Sequence, residues 1–493
     1  MRRPATFDRL PAGHQHRVYE VEQLIGQIWT PGHDRASFEV RNPADDGPVS
    51  RAPQGTAADV EAAVKAAREA AAAWAATAPA ERGARLRRAA GAVEAVAEEL
   101  ARAQTAEMGR PLETARGGVA AGVATLRQYA ELGPLHRGRS LAGEDRATDL
   151  MVHGPRGVVA VITPWNDPVA VSCGLLGAAL VTGNAVVHKP SERTPATGWL
   201  LVRALAAHLP PGVLSLVTGD GSVGALLAGA DVDVVAHVGS TRAGRSIAAA
   251  CARTGAKALL ENGGSDPLVV DGDVDPEWAA GQAALGAFAN SGQICVSVER
   301  IYVHRAVAEP FVAALAARAE ALVMGPGADP RTELGPLVDR RHRDGVHAQV
   351  AAAVAAGATA VTGGRIPEGP GAFYPATVLT GCTDDMAVLR EETFGPVAPV
   401  VVVDSFEEGL RRAAASPYGL AATMLTRSMS HAQRAWRELP VGTVKVNAVF
   451  GGAPGGAAHP RRASGSGFGY GPELLDEMTA TKVVHLAEPP GGW

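Results

Sequence analysis

The sequence predicts an α/β protein built on a doubly wound, largely parallel sheet. Two features carry this expectation. Short apolar runs such as Gly157-Val-Val-Ala-Val-Ile-Thr163, Asn184-Ala-Val-Val-His188, 213–217 and 234–238 are too continuous for strands with one wet face, and suit strands buried on both sides. Ala-rich stretches of helical length lie between them, so strand and helix alternate as parallel pairing requires. Further runs at 258–260, 268–270, 301–303, 397–403 and 443–446, with helices over 306–323 and 343–356, extend the same sheet or form a second one. The 493 residues exceed one ordinary core, so two or three domains are expected.

Taken in order, residues 1–20 mix Pro, Gly, His and Arg without periodicity and read as a loose arm. A short strand or hairpin fits 24–29. Thr56-Ala-Ala-Asp59 supplies a capping-box start for a helix running to Trp74. A second helix is expected over 80–107, with Leu86, Val93, Val96 and Leu100 on one core-facing side, and a third over 111–132. Residues 138–155 alternate around Gly143-Glu-Asp145 and read as a protruding hairpin. Lys482-Val-Val-His-Leu486 is a candidate to pair with it, ahead of a tail, 488–493.

Composition narrows the function. The chain is 46% hydrophobic and 20% charged, with a formal charge of −5, and no basic block interleaves with aromatics as a nucleic-acid surface requires. A small-molecule partner is expected instead. Cys173, Cys251, Cys295 and Cys382 show no metal-ligand spacing, the 14 histidines form no HExxH pattern, and neither metal nor disulfide frame is expected. No signal-peptide pattern appears, and no apolar run approaches the roughly 18 residues of a membrane span, so a cytoplasmic location is expected.

One cysteine stands apart. In Phe288-Ala-Asn-Ser-Gly-Gln-Ile-Cys295-Val-Ser-Val-Glu-Arg300 it follows a glycine and an amide-bearing turn and precedes a β-branched run. A thiolate outcompetes a hydroxyl as a nucleophile near neutral pH, and nearby N–H groups and positive charge would lower its basicity. The alternative is a buried structural cysteine.

Six segments in order, Thr163-Pro-Trp-Asn166, Lys189-Pro-Ser-Glu192, Gly239-Ser-Thr-Arg-Ala-Gly244, Glu261-Asn-Gly-Gly264, Gly292-Gln-Ile-Cys295 and Glu391-Glu-Thr-Phe-Gly-Pro396, resemble the aldehyde dehydrogenase superfamily over nearly the whole length. The resemblance implies a Rossmann-like cofactor domain (21–135 and 156–262), an α/β catalytic domain (263–470) and a small β oligomerisation arm with tail (136–155 and 471–493), in a homodimer or homotetramer. It implies oxidation of an aldehyde to an acid with NAD, NADP being a second acceptor, through a thioester on Cys295. Asn166 and the Cys295 N–H would hold the oxyanion, and Glu261 would activate the hydrolytic water. Thr163, Pro164, Trp165, Lys189, Ser191, Glu192, Gly239, Ser240, Gly244, Glu392 and Phe394 would bind the cofactor, with the pyrophosphate at the helix start after Ser240. Only five of the 46 Lys and Arg residues are lysine, which makes Lys189 notable.

Departures from the family pattern fall at Leu175 and around Phe468-Gly469, where some relatives carry a proton relay to the Glu261 position, at Asn262 after that base, and in the substrate tunnel, assigned to Asp167, Gly174, Ile294, Val296, Gly452 and Ala458. Asp167 and Gly174 stand where many relatives carry aromatics, and 451–458 is Gly- and Ala-rich. A wide tunnel for bulky or polar, even cationic, aldehydes is expected. Asp167 has a second reading as the cap of a helix starting at Pro168. A CoA-acylating dehydrogenase and a non-catalytic homologue remain the alternatives.

Overall fold

A computed structural model describes residues 18–33, 36–452 and 456–489. Most of the expected loose arm, most of the tail and residues 453–455 of the Gly- and Ala-rich segment lie outside these. Tyr19–Glu20, placed in the loose arm by the sequence, is a strand paired in parallel with Ser50–Arg51.

Two large sheets organise the chain. The first has eight strands, in the order Gly465–Ser466, Lys257–Glu261, Val234–Val238, Val158–Ile162, Ala185–Lys189, Leu214–Leu216, Gln23–Ile25 and Ile28–Thr30. Its middle five are mutually parallel and almost wholly buried, as their unbroken Val, Ala and Leu runs require. The second has seven, Thr359–Thr362, Thr377–Thr380, Val397–Val403, Val298–His304, Asp266–Val270, Ala421–Leu425 and Thr443–Val446, all parallel except the first. Helices cover both faces. The sheet strand Gly465–Ser466 returns antiparallel to Leu260 and Glu261, so this segment joins the first sheet rather than the second.

The helix Ala57–Ala76 begins with the reciprocal capping box of Thr56 and Asp59. The single helix expected over 80–107 is two, Pro79–Ala95 and Ala97–Met108, because Val96 leaves helical geometry at φ −109°, ψ 17°. A third sheet pairs Ala147–Pro155 with Arg139–Leu141 on one side and with Thr479–Ala487 over nine residues on the other. This is the hairpin expected around Gly143, completed by the C-terminal strand.

Candidate active site

The two large sheets meet end to end. The C-terminal ends of first-sheet strands deliver 163–166, Glu192, Gly239 and Glu261, while Asp266, Cys295 and 392–396 lie at the N-terminal ends of second-sheet strands. Ligands of parallel α/β sheets bind beyond the carboxyl ends of strands, and here a second sheet roofs that space. Between them lies a cavity of about 490 Å³ whose walls include Asn166, Asp167, Glu261, Ile294, Cys295, Glu392 and Phe394.

Cys295 is held by a strained loop. Asn290 and Ser291 adopt left-handed φ of 49° and 57°. The Ser291 hydroxyl donates to the Gly335 carbonyl, the Gln293 side chain donates to the Asn290 carbonyl at 3.1 Å, and its oxygen accepts from the Val338 N–H at 2.9 Å. Gly292, at φ +72°, lies against the carbonyl of Gly395, where any Cβ would collide. That contact joins the cysteine loop to the 391–396 segment. The Asn166 amide donates to the Gln293 carbonyl at 3.0 Å, as does Asn290 at 3.2 Å, so two amides stand beside the nucleophile loop.

Carboxylates form the opposite side. Burial pushes Glu261 up to about 7, against the pull of the Gly469 N–H, which donates to it at 3.1 Å. A side chain at position 469 would collide with Glu261, so glycine is required for this contact. Burial also raises Glu392 to about 7 and Asp266 to about 8. Glu299, raised well above the carboxylate range by burial and by Glu392, accepts from the N–H groups of Thr393 and Phe394 at 3.0 and 2.7 Å and fixes that loop. The Cys295 thiol is pushed up to about 12, first by its enclosure and then by Glu261, Asp266, Glu392 and Asp167. This reverses the sequence expectation of a thiol with lowered basicity. Acids rather than cations dominate its surroundings, and the thiol rests protonated.

On the cofactor side, Pro164, Trp165, Gly239, Ser240, Glu392 and Phe394 line the cavity. Trp165 packs edge-on to Phe394 and His342, with the Arg193 guanidinium over its ring. Ser240 caps the helix Thr241–Thr254 by accepting from the Ala243 N–H. Gly244 packs where any Cβ would strike Asn262. Thr163, Lys189, Ser191, Glu192 and Gly244 are not among the residues lining this cavity. Thr163 is buried against His188 and Ser172, and Lys189 lies 3.7 Å from Glu192. Burial lowers the Lys189 pKa despite Glu192 and Asp220 nearby, and Ser191 bonds Glu192.

The tunnel expectation needs correction. Asp167 and Ile294 line the cavity, but Gly174, Val296, Gly452 and Ala458 do not. Gly174 opens no space, because the Tyr470 ring lies 3.8 Å from where a Cβ would stand and its hydroxyl bonds Thr125 at 2.8 Å. Gly452 is exposed, off the cavity. Asp167 occupies the N-cap position yet makes no cap bond; its carboxylate accepts from Arg110 at 2.9 Å. The added negative charge is therefore paired.

Sequence reading missed Arg110, Asn290, Lys445 and Tyr470, and took Gly469 only as the place of a lost relay carboxylate, not as the N–H donor to Glu261. Lys445, half-buried, interacts with both Asp266 and Cys295. Only Asn290 carried a signal, lying within the cysteine segment; the others act through partners far along the chain.

Residues 29–484 match the aldehyde dehydrogenase family. The chain is 38% identical over 442 residues to a succinate-semialdehyde dehydrogenase of Paenarthrobacter nicotinovorans, covering 88% of this chain and 98% of that one. It is 37% identical over 467 residues to a betaine aldehyde dehydrogenase of Cereibacter sphaeroides, covering 92% and 95%. The structure of a Bacillus cereus aldehyde dehydrogenase with NAD+ superposes with a TM-score of 0.92 at 33% identity, over 95% of this chain and 96% of that one. The fold and the cavity define an NAD(P)-dependent oxidoreductase acting on aldehydes. The chain belongs to the aldehyde dehydrogenase family. Among the described residues, no helix is long and apolar enough to cross a membrane.

Proposed function

We propose that Cys295 is the nucleophile of a hydrolytic aldehyde oxidation. The observation that carries this reading is one cavity shared by Cys295, Asn166 and Glu261. The sulfur attacks the carbonyl carbon and gives up its proton. With the thiol held up to about 12, its proton passes to a carboxylate of the cavity wall, where Glu392 as well as Glu261, each at about 7, is suited to accept it. The new oxyanion is received by the Asn166 amide and the Cys295 N–H. NAD(P), when bound, supplies the hydride acceptor that turns the thiohemiacetal into a thioester. Glu261 then takes a proton from the water that cleaves the thioester, which favours hydrolysis over transfer to CoA.

The residues present suit the dinucleotide. A capped helix start at Ser240 offers N–H groups to a pyrophosphate. Lys189 and Glu192 offer a cation and an acceptor to the adenosine ribose. Glu192 would repel a 2′-phosphate, so NAD is the expected acceptor. The substrate end is set by the Arg110–Asp167 pair, whose charges cancel, so we read the substrate as a polar aldehyde recognised by hydrogen bonding rather than by net charge.

Residues 21–135 and 156–262 form the cofactor domain of this reading, joined by 465–466; 263–464 form the catalytic domain. The third sheet exposes Leu141 and Val483 on one face and Val152 and Leu486 on the other, apolar positions suited to contact with a second copy of the chain. Sedimentation showing only monomer would remove the homodimer or homotetramer. Four free cysteines, three of them buried, fit a reducing compartment such as the cytoplasm.

Rapid mixing of enzyme, NAD and aldehyde tests the chemistry. Cys295→Ala is expected to give neither a burst of reduced cofactor nor turnover. Glu261→Gln is expected to keep the burst and lose most of the steady state. The wild-type steady state is expected to rise as pH increases through about 7, because Glu261 serves as base only when deprotonated. A lost burst in Glu261→Gln would make the glutamate the sole acceptor of the thiol proton as well, and turnover by Cys295→Ala would remove the nucleophile.

A further inference from the structure

Away from the cleft, three potential ligands converge at the foot of the third sheet. His136 follows the short turn Gly133–Leu135, His153 lies on the strand Ala147–Pro155, and Asp476 lies in the short helix Glu473–Glu477. One ligand atom from each lies within 4.8 Å of the other two. The His136 Nε2 and Asp476 Oδ1 are 2.8 Å apart, and the two imidazole centroids are 4.5 Å apart at 31°.

The placement is built into rigid backbone. Leu474, Leu475 and Met478 anchor the Asp476 helix in the core, and one residue beyond Met478 the nine-residue ladder to His153's strand begins. Gly138 passes so close to the Met151 main chain that a side chain there would collide, which brings His136 alongside His153. The side chain of His136 is 14% exposed and that of Asp476 is 64%, so the cluster has a protein side and a wet side.

Two imidazoles and a carboxylate are a donor set of borderline softness, suited to a divalent transition ion. Three protein ligands with one side open to water match a four-coordinate zinc shell. Linear spacing conceals such a set, because its members come from three elements and Asp476 is more than 300 residues from the histidines.

We propose that His136, His153 and Asp476 bind a divalent transition ion, with Zn2+ as the fitting occupant, and that the ion pins the third sheet to the helix Glu473–Glu477 and to the turn Gly133–Leu135. This does not rest on the assignment of the catalytic residues. The test is titration calorimetry of the intact chain with Zn2+, and with Mg2+ as the hard-ion control, in wild type and in Cys295→Ser, which removes the thiol as a competing zinc ligand. One Zn2+ per chain is expected in both, with no matching Mg2+ binding. His153→Gln, His136→Gln and Asp476→Asn are each expected to weaken it by about tenfold or more, while circular dichroism stays unchanged. Zn2+ is expected to raise the melting temperature of Cys295→Ser and not of its His153→Gln double variant. The proposal is overturned if stoichiometric binding is absent, if it vanishes in Cys295→Ser, or if it survives in every folded ligand variant. Those results would leave an imidazole–carboxylate hydrogen bond only.

Discussion

The two sides of the cleft around Cys295 are built from opposite materials. On one side stand amides, Asn166 and Asn290, which do not themselves titrate and whose N–H bonds are already aimed at the Gln293 carbonyl. On the other stand Glu261 and Glu392, with Asp266 and Glu299 buried off the cavity wall, and all four carboxyl groups are raised well above the ordinary carboxylate range. The amide side answers charge that appears during the reaction and does not depend on pH. The acid side changes its own charge within the working range. The difference teaches that oxyanion stabilisation and proton handling are separable here, and that pH sensitivity belongs to the carboxyl side.

The sharpest way to break that division is Asn166→Ala. Losing one preorganised oxyanion donor costs roughly 3 kcal/mol, so kcat should fall by about 10² to 10³, while the shape of its pH profile stays as in wild type. A shifted profile would show that the two sides titrate together. A smaller effect is expected from Glu192→Ala. Removing the carboxylate that faces a 2′-phosphate should raise the NADP-to-NAD ratio of kcat/KM by about tenfold. An unchanged ratio would free Glu192 from cofactor choice.

The smallest effect concerns the Arg110–Asp167 pair, which brings full charges to the amide side beside Asn166. Asp167→Asn leaves the arginine unbalanced. The preference for succinate semialdehyde over hexanal should rise by about threefold to tenfold, the scale of one partly exposed charge. A rise for an aminoaldehyde instead would mean that the arginine does not face the substrate.

Much of this cleft was legible because each motif sits at a strand end, where an apolar run borders residues with turn or charge chemistry. Glu261 closes such a run, while Cys295 and Glu392 come just before one. What escaped was set by partners distant in the chain. Asp167 reads as a helix cap from its neighbours, yet its carboxylate goes to Arg110, 57 residues earlier. Gly174 reads as lost bulk, yet Tyr470 restores the bulk from nearly 300 residues away. The thiol reads as activated, and only the folded clustering of acids reverses that. Val96 carries a helical pattern on both sides of itself, so nothing local marks the break there.

Gly292 sets a different kind of limit. It touches neither the amides nor the acids in any chemical sense, but its positive φ and its contact with Gly395 exclude any side chain. In terms of information, this position has an alphabet of one letter, and the letter is fixed by the route of two loops rather than by the reaction. A survey of tolerated substitutions would therefore score Gly292 beside Cys295, although only Cys295 is proposed to perform the chemistry and Gly292 leaves room for its loop.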